Sequence, residues 1–223
     1  MSNLKPVLGV AVVVVGLVLS ACSSKDSAGG ASTVAAATTT AAAPSSQRGA
    51  AAAASDGVTT AADTFGPNCK DLPQGDAAGG LTSMGPQPVA TAASTNPLLT
   101  KLVAAVKAIP GLVDTLNTTD NLTVFAPADP AFAALGDAKF AELAANPAAL
   151  APILQFHVIP KRYDRDGLVA VGTVKSLNAA GGDIKIEGTG DNITINGAKV
   201  LCGNIPTKNA TVFVIDTVLT PKG

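Results

Sequence analysis

The residues LTVFAPADPAF at positions 122–132 carry a strand pattern that changes to a helix pattern within eleven residues. Residues 122–126 predict a β-strand, which Pro127 ends because proline cannot donate a hydrogen bond to a neighbouring strand. Asp129-Pro130 is a helix-capping residue followed by a proline suited to the first turn, and this pair opens a short helix carrying Phe132. The chain therefore combines helices with strands.

Similar pairs of a capping residue and a proline predict the neighbouring helices. Asn96-Pro97 begins the first strong helix, in which apolar residues recur at helical spacing as far as Ile109. Asp137 can cap a short helix. Asn146-Pro147 begins another, in which Pro152 removes one backbone hydrogen bond and should cause a kink.

Downstream of these helices the apolar residues alternate with polar ones, as in half-buried strands. Asn196-Gly197 is a strong signal for a two-residue hairpin turn. Strands are predicted at 156–159, 173–177, 183–187, 192–195, 198–202 and 211–219. Helices first and strands later predict an α+β domain, with N-terminal helices packed on an antiparallel β-sheet wedge or sandwich.

The composition argues against a nucleic-acid partner and is sufficient for a folded domain with an apolar core. The formal net charge is -1 and no stretch concentrates Lys or Arg, so nucleic-acid binding is not expected. Although Trp is absent, 47% of the residues are apolar. Residues 66–223 have the size of one ordinary domain.

The N-terminus has the organisation of an export signal. Lys5 precedes an apolar run at 7–19, and the small residues Ser20-Ala21 come directly before Cys22. The run is too short to span a bilayer. This arrangement, with a cysteine directly after two small residues, resembles the bacterial lipoprotein signal. The resemblance implies a signal peptide at 1–21 and a diacylglycerol on Cys22. An ordinary secretory signal with a chance cysteine is the alternative.

Composition divides the exported chain into three parts. Residues 22–64, rich in Ala, Ser and Thr, are predicted to form a disordered tether, and their Thr clusters are typical of either O-glycosylated stalks or plain solubility. Residues 65–85 are interpreted as an irregular arm. The folded domain is expected at 86–223.

Two cysteines remain once Cys22 is assigned to lipid. Because an exported chain reaches an oxidising compartment, we predict a disulfide between Cys69 and Cys202, with two free thiols as the alternative. A metal site is not expected, because two thiolates and one distant histidine do not provide four zinc ligands.

Three segments resemble the signatures of the fasciclin (FAS1) domain. They are LTVFAPADPAF at 122–132, ILQFHVI at 153–159 and ATVFVIDTVLTP at 210–221. The resemblance covers roughly 84–221, and the lipoprotein signal, tether and cysteine pair narrow it to actinobacterial surface lipoproteins and secreted antigens. Phe156 replaces the tyrosine usual in the second signature, so no phenolic hydroxyl acts there.

His157, the single histidine, raises the question of catalysis. A lone histidine can serve as a general base or a ligand, but no nucleophile motif accompanies it and the resemblance implies no catalysis. We interpret it as a core residue that hydrogen-bonds Asp129 or a nearby backbone group. Asp164 and Asp166 flank Arg165 as in a solvated turn, so they are not interpreted as an acid/base pair.

These patterns together predict a cell-surface lipoprotein with one fasciclin domain and no enzymatic activity or cofactor. Its expected role, implied by the resemblance alone, is adhesion or interaction with an unidentified protein or glycan. We expect a monomer, anchored to the cell membrane through Cys22 and facing outward, with shedding or secretion as a further fate. The alternative function is a carrier that holds an apolar small molecule, such as a lipid, between helices and sheet.

Overall fold

The computed structural model describes residues 56–73 and 75–222. The predicted signal peptide, Cys22 and most of the predicted tether lie outside these residues. Within the described part, no helix is long and apolar enough to cross a membrane.

Helices dominate the first half of the described chain and strands the second half. The α-helices are α1 (Leu81–Met84), α2 (Val89–Thr95), α3 (Thr100–Lys107), α4 (Leu112–Thr118), α5 (Asp129–Leu135), α6 (Asp137–Ala145), α7 (Pro147–Phe156) and α8 (Arg165–Val171). The strands are β1 (Leu122–Pro127), β2 (Val158–Ile159), β3 (Thr173–Lys175), β4 (Asp183–Thr189), β5 (Asn192–Ile195), β6 (Ala198–Pro206) and β7 (Ala210–Ile215). This arrangement confirms the predicted α+β class.

The strands form one seven-stranded sheet in the order β2-β1-β7-β6-β5-β4-β3. Strands β1 and β7 pair in parallel, with Phe125 opposite Phe213, whereas the other neighbouring strands are antiparallel. The sheet is therefore mixed, and the prediction of an antiparallel sheet holds only outside the pairing of β1 with β7. Every residue of β1 and β7 is buried, as parallel strands covered on both faces require.

Alternation of side chains along β1 and β7 creates two apolar cores. Val124 and Val212 face a core shared with helices α2 to α5 and α7. Phe125 and Phe213 point the other way, into a core shared with α8 and the strands β3 to β6. Their rings meet edge to face with centroids 6.1 Å apart. Strands β1 and β7 thus contribute side chains to both cores.

Two sequence patterns appear where they were predicted, and three predicted strands are shorter in the structure. The predicted strands 173–177 and 211–219 end at Lys175 and Ile215. Asn196 and Gly197 have φ values of 51° and 88°, the positive angles that a two-residue hairpin needs. Helix α7 contains Pro152, as expected. The predicted strand 156–159 is reduced to β2, because α7 extends through Phe156 and His157 caps it with a hydrogen bond from its N–H to the Leu154 carbonyl.

The segment 56–64, predicted to end the tether, packs against the domain. The Gly57 carbonyl accepts hydrogen bonds from Arg162 Nε at 3.2 Å and from Thr211 Oγ1 at 2.6 Å. Phe65 then forms an antiparallel bridge with Gly203 of β6. The described residues before Phe65 therefore contact the domain through hydrogen bonds from side chains to a backbone carbonyl.

Candidate functional site

An apolar cavity of about 140 Å³ lies between helices α2, α3, α4 and α7 and the strands β1 and β2. Its inner wall contains Val124, Leu154, His157 and Val158, and its outer wall contains half-buried side chains of α2, α3 and α4. Concave apolar cavities of this kind are the usual sites for small ligands. The sequence identified the helices and the strands separately, but the space between them depends on how they pack.

His157 lies in the inner wall and is 2% exposed. Its Nδ1 is 2.8 Å from the Ile153 carbonyl oxygen, and its Nε2 is 2.9 Å from the Leu219 backbone nitrogen. Because the Leu219 N–H can only donate, Nε2 accepts and the proton of the neutral ring is on Nδ1. His157 therefore joins the end of α7 to the C-terminal segment, and neither ring nitrogen is free for catalysis or ligand binding.

Burial lowers the pKa of His157 to about 4, and the hydrogen bond to Ile153 acts in the opposite direction. Desolvation disfavours the charged ring. Protonation would also place an N–H on Nε2, facing the N–H of Leu219. His157 is consequently neutral at pH 7.

The prediction that His157 bonds a backbone group agrees with these contacts, but the alternative partner, Asp129, lies elsewhere. Asp129 Oδ1 accepts the Lys101 backbone N–H at 2.8 Å, and Oδ2 accepts the Thr100 hydroxyl at 2.5 Å. The Asp129 N–H donates to the Leu98 carbonyl. Asp129 thus caps α3 across the fold rather than its own helix α5. The helix predicted to begin at Asn96-Pro97 begins at Thr100 in the structure, and Asn96 ends α2 instead.

Phe156 is 1% exposed and packs in the core opposite the cavity. A β-carbon at Gly181 would lie 2.7 Å from its ring, so glycine is needed there for the ring to fit. Phe156 and His157, although adjacent, therefore serve different cores.

Cys69 and Cys202 form a disulfide that links the segment before α1 to β6. Cys202 is 1% exposed. This bond ties the predicted arm to the central sheet. Cys22, the predicted lipidation site, lies outside the described residues.

The carboxylates near α8 do not form a catalytic pair. Asp164 Oδ1 accepts the Gly167 N–H as the cap of α8, whereas Asp166 pairs with Arg165 on the surface. In the described ranges 56–73 and 75–222, no group of three His, Cys, Asp or Glu residues could hold a metal ion.

Arg162 is a buried residue that the sequence did not single out. Its Nη2 donates to the carbonyls of Thr207 and Ala210, each at 3.0 Å, and its Nε donates to Gly57 and Thr211. Burial lowers its pKa, an effect that Asp56 partly opposes. An arginine beside a predicted turn is normally exposed, so no pattern in the sequence indicated this role.

The comparisons with known proteins agree with the signatures. The Fasciclin domain family matches residues 97–221. Relatives include the immunogenic protein MPB70 of Mycobacterium bovis, 38% identical over 167 residues that cover 72% of this chain and 84% of that protein. The cell surface glycolipoprotein MPT83 of Mycobacterium tuberculosis is 40% identical over 174 residues, which cover 72% of this chain and 74% of that protein.

Among solved structures, a FAS1 domain pair from the insect cell adhesion molecule fasciclin I matches with a TM-score of 0.44 and 18% identity. The match covers 54% of this chain and 44% of that structure. Together, the family match over more than half of the chain and the similarity to MPB70 and MPT83 place the chain in the fasciclin domain family.

Proposed function

We propose that this chain is a lipid-anchored protein that presents its fasciclin domain at the cell surface for adhesion to another protein or a glycan. The observation that carries the proposal is its family membership, with relatives named as an immunogenic protein and a cell surface glycolipoprotein. Cys22 would carry the anchor, and the residues between it and Asp56 would provide reach. Two acyl chains on one cysteine suffice for stable anchoring.

The chemistry of the described residues supports binding rather than catalysis. His157 is buried and neutral, and both of its ring nitrogens are occupied by backbone groups. A general base must reach the proton that it removes. His157 could do so only by breaking contacts that hold α7 to the C-terminal segment.

Recognition should belong to the folded domain, because the tether lacks the aromatic and bulky apolar anchors of specific interfaces. The test compares the ectodomain from residue 23 with a protein that begins at Asp56, each against one isolated partner captured from cell-envelope or host-matrix extract. Equal affinities in solution are expected. Starting at Asp56 rather than Phe65 keeps the hydrogen bonds of Gly57, so the comparison does not confuse recognition with stability.

Loss of binding after removal of residues 23–55 would contradict this proposal. The tether, or a glycan on its threonines, would then be the recognition element.

The apolar cavity favours a second candidate function, the carriage of an apolar small molecule. Its volume of about 140 Å³ suits a small ligand or one end of a larger one. Mass spectrometry of gently extracted protein tests this candidate. A non-covalent apolar compound at stoichiometric amount supports a carrier, and its absence from repeated preparations argues against one.

A further inference from the structure

We propose that the apolar cavity binds a small carboxylate whose single apolar group, an aryl ring or a short acyl chain, fills the cavity while Lys107 pairs with the carboxylate at its mouth. This inference deepens the second candidate function and rests on it. It does not depend on the surface role.

The volume of the cavity limits the size of the apolar group. A cavity of about 150 Å³ lined by aliphatic and aromatic side chains stays dry and binds benzene. The cavity here, at about 140 Å³, matches that size. One aromatic ring or a chain of about six carbons therefore fits, whereas a complete membrane-lipid acyl chain does not.

The inner wall offers no polar group to the ligand. Val124 and Val158 present aliphatic side chains, and both nitrogens of His157 are already bonded to Ile153 and Leu219. A polar group placed deep in the cavity would lose its hydrogen bonds to water without replacement. The polar end of a ligand must therefore lie at the mouth.

Lys107 supplies the charge at that mouth. It is the single charged residue among the described residues that line the cavity, and it is exposed at the end of α3 beside half-buried Val103 and Val106. Lys101, on the same helix, is instead paired with Asp137. No carboxylate is among the described residues that line the cavity, so an anionic ligand there would meet the Lys107 ammonium without a competing acidic side chain in the lining.

Lys107 also has a structural role that needs no ligand, because a cation in the last turn of a helix stabilises that helix. A test must therefore measure ligand charge selectivity rather than stability alone.

The experiment titrates the purified exported protein with phenylacetate and with its neutral isostere phenylacetamide, and follows backbone amide shifts by NMR. Saturable shifts in α2, α3 and α4 are expected with phenylacetate, and weaker binding is expected with phenylacetamide. Lys107→Gln should weaken phenylacetate binding about two- to five-fold, the range for an exposed ion pair, and leave phenylacetamide binding unchanged. Lys139→Gln, which changes an exposed lysine on α6, is the matched control and should alter neither.

A second variant tests the location. Ala93 lines the cavity from α2, so the larger side chain of Ala93→Leu should fill part of the space. The affinity for both ligands should fall at least ten-fold. A thermal melt checks that this variant folds. If it does not, Val103→Phe replaces it as the filling variant.

Three results would overturn the proposal: no saturable binding of phenylacetate, unchanged binding after the cavity is filled, or an equal effect of Lys107→Gln on both ligands. The third result, with both ligands still bound in the cavity, would remove the role of Lys107 but leave the carrier candidate intact. If neither ligand binds and no compound is co-extracted with the protein, both this proposal and the carrier candidate are ruled out. Neither outcome affects the surface role, which the capture experiment tests separately.

Discussion

Replacing His157 with glutamine should make the free energy of unfolding less dependent on pH. In the folded protein the pKa of His157 is about 4, below the 6.5 of an ordinary histidine, because burial disfavours the charged ring. The unfolded chain therefore binds a proton at pH values where the folded protein does not. By linkage, the stability contributed by neutral His157 is present above pH 6.5 and is lost as the pH falls towards 4.

The size of this effect follows from the two pKa values. Since one pH unit between them corresponds to about 1.4 kcal/mol, the linkage costs the wild-type protein about 1 kcal/mol by pH 5.5 and about 2 kcal/mol by pH 4.5, relative to pH 7. The glutamine variant has no such loss, because His157 is the single histidine of the chain. Carboxylates titrate in both proteins, so their contribution cancels in the difference.

The assay is urea unfolding at pH 7, 5.5 and 4.5, followed by far-ultraviolet circular dichroism because the chain has no tryptophan. At pH 7 the variant should be less stable by about 1–3 kcal/mol, since glutamine cannot satisfy both Ile153 and Leu219 in the same geometry. This difference should shrink by about 2 kcal/mol at pH 4.5. A difference that stays constant within about 0.5 kcal/mol over this range would refute the buried, neutral state of His157.

Further substitutions at three places, Arg162, Asp129 and the cysteine pair, test contacts that position the domain. Arg162→Lys should lower the free energy of unfolding by about 2–4 kcal/mol, because lysine cannot make the same set of hydrogen bonds, and should expose the segment before Phe65 to limited proteolysis; an unchanged cleavage pattern would contradict this role. Asp129→Ala should cost about 1–2 kcal/mol as a lost helix cap, whereas Asp129→Asn, which keeps one acceptor, should cost less than about 1 kcal/mol; equal losses would argue against capping. Non-reducing peptide mapping should find Cys69 joined to Cys202, and replacing both with alanine should cost about 2–5 kcal/mol in a chemical melt; free thiols in the exported protein would contradict the bond.

Local signals in the sequence located many elements of the fold. The Asn196-Gly197 turn depends on two residues and the backbone angles that they tolerate, so it could be predicted without the rest of the chain. The pair Asn146-Pro147 likewise begins α7, where the Asn146 side chain accepts the Ala149 N–H.

Contacts between distant parts of the chain could not be predicted in the same way. Asp129 has the local sequence of a cap for α5, but its carboxylate bonds the first turn of α3, because the two helix starts meet in space. The parallel pairing of β1 with β7 joins segments separated by most of the domain, and no alternation of side chains records strand direction.

In the candidate site, too, local features could be predicted from the sequence and contacts between distant segments could not. His157 was recognised as a buried residue, but its partners Ile153 and Leu219 and its place in a cavity wall depend on how α7 meets the C-terminal segment. Arg162 gave no signal because three of its four acceptors are backbone carbonyls, which carry no sequence identity.

Intact mass spectrometry of the protein recovered from the membrane fraction of producing cells tests whether the fasciclin domain is held at the surface by lipid. The account predicts a mature chain that begins at Cys22 and carries the added mass of a diacylglyceryl group, and a Cys22→Ala variant that lacks this mass and leaves the membrane fraction once its signal peptide is cleaved. A mature chain with an unmodified Cys22, or a cleaved Cys22→Ala protein that stays with the membrane, would contradict it.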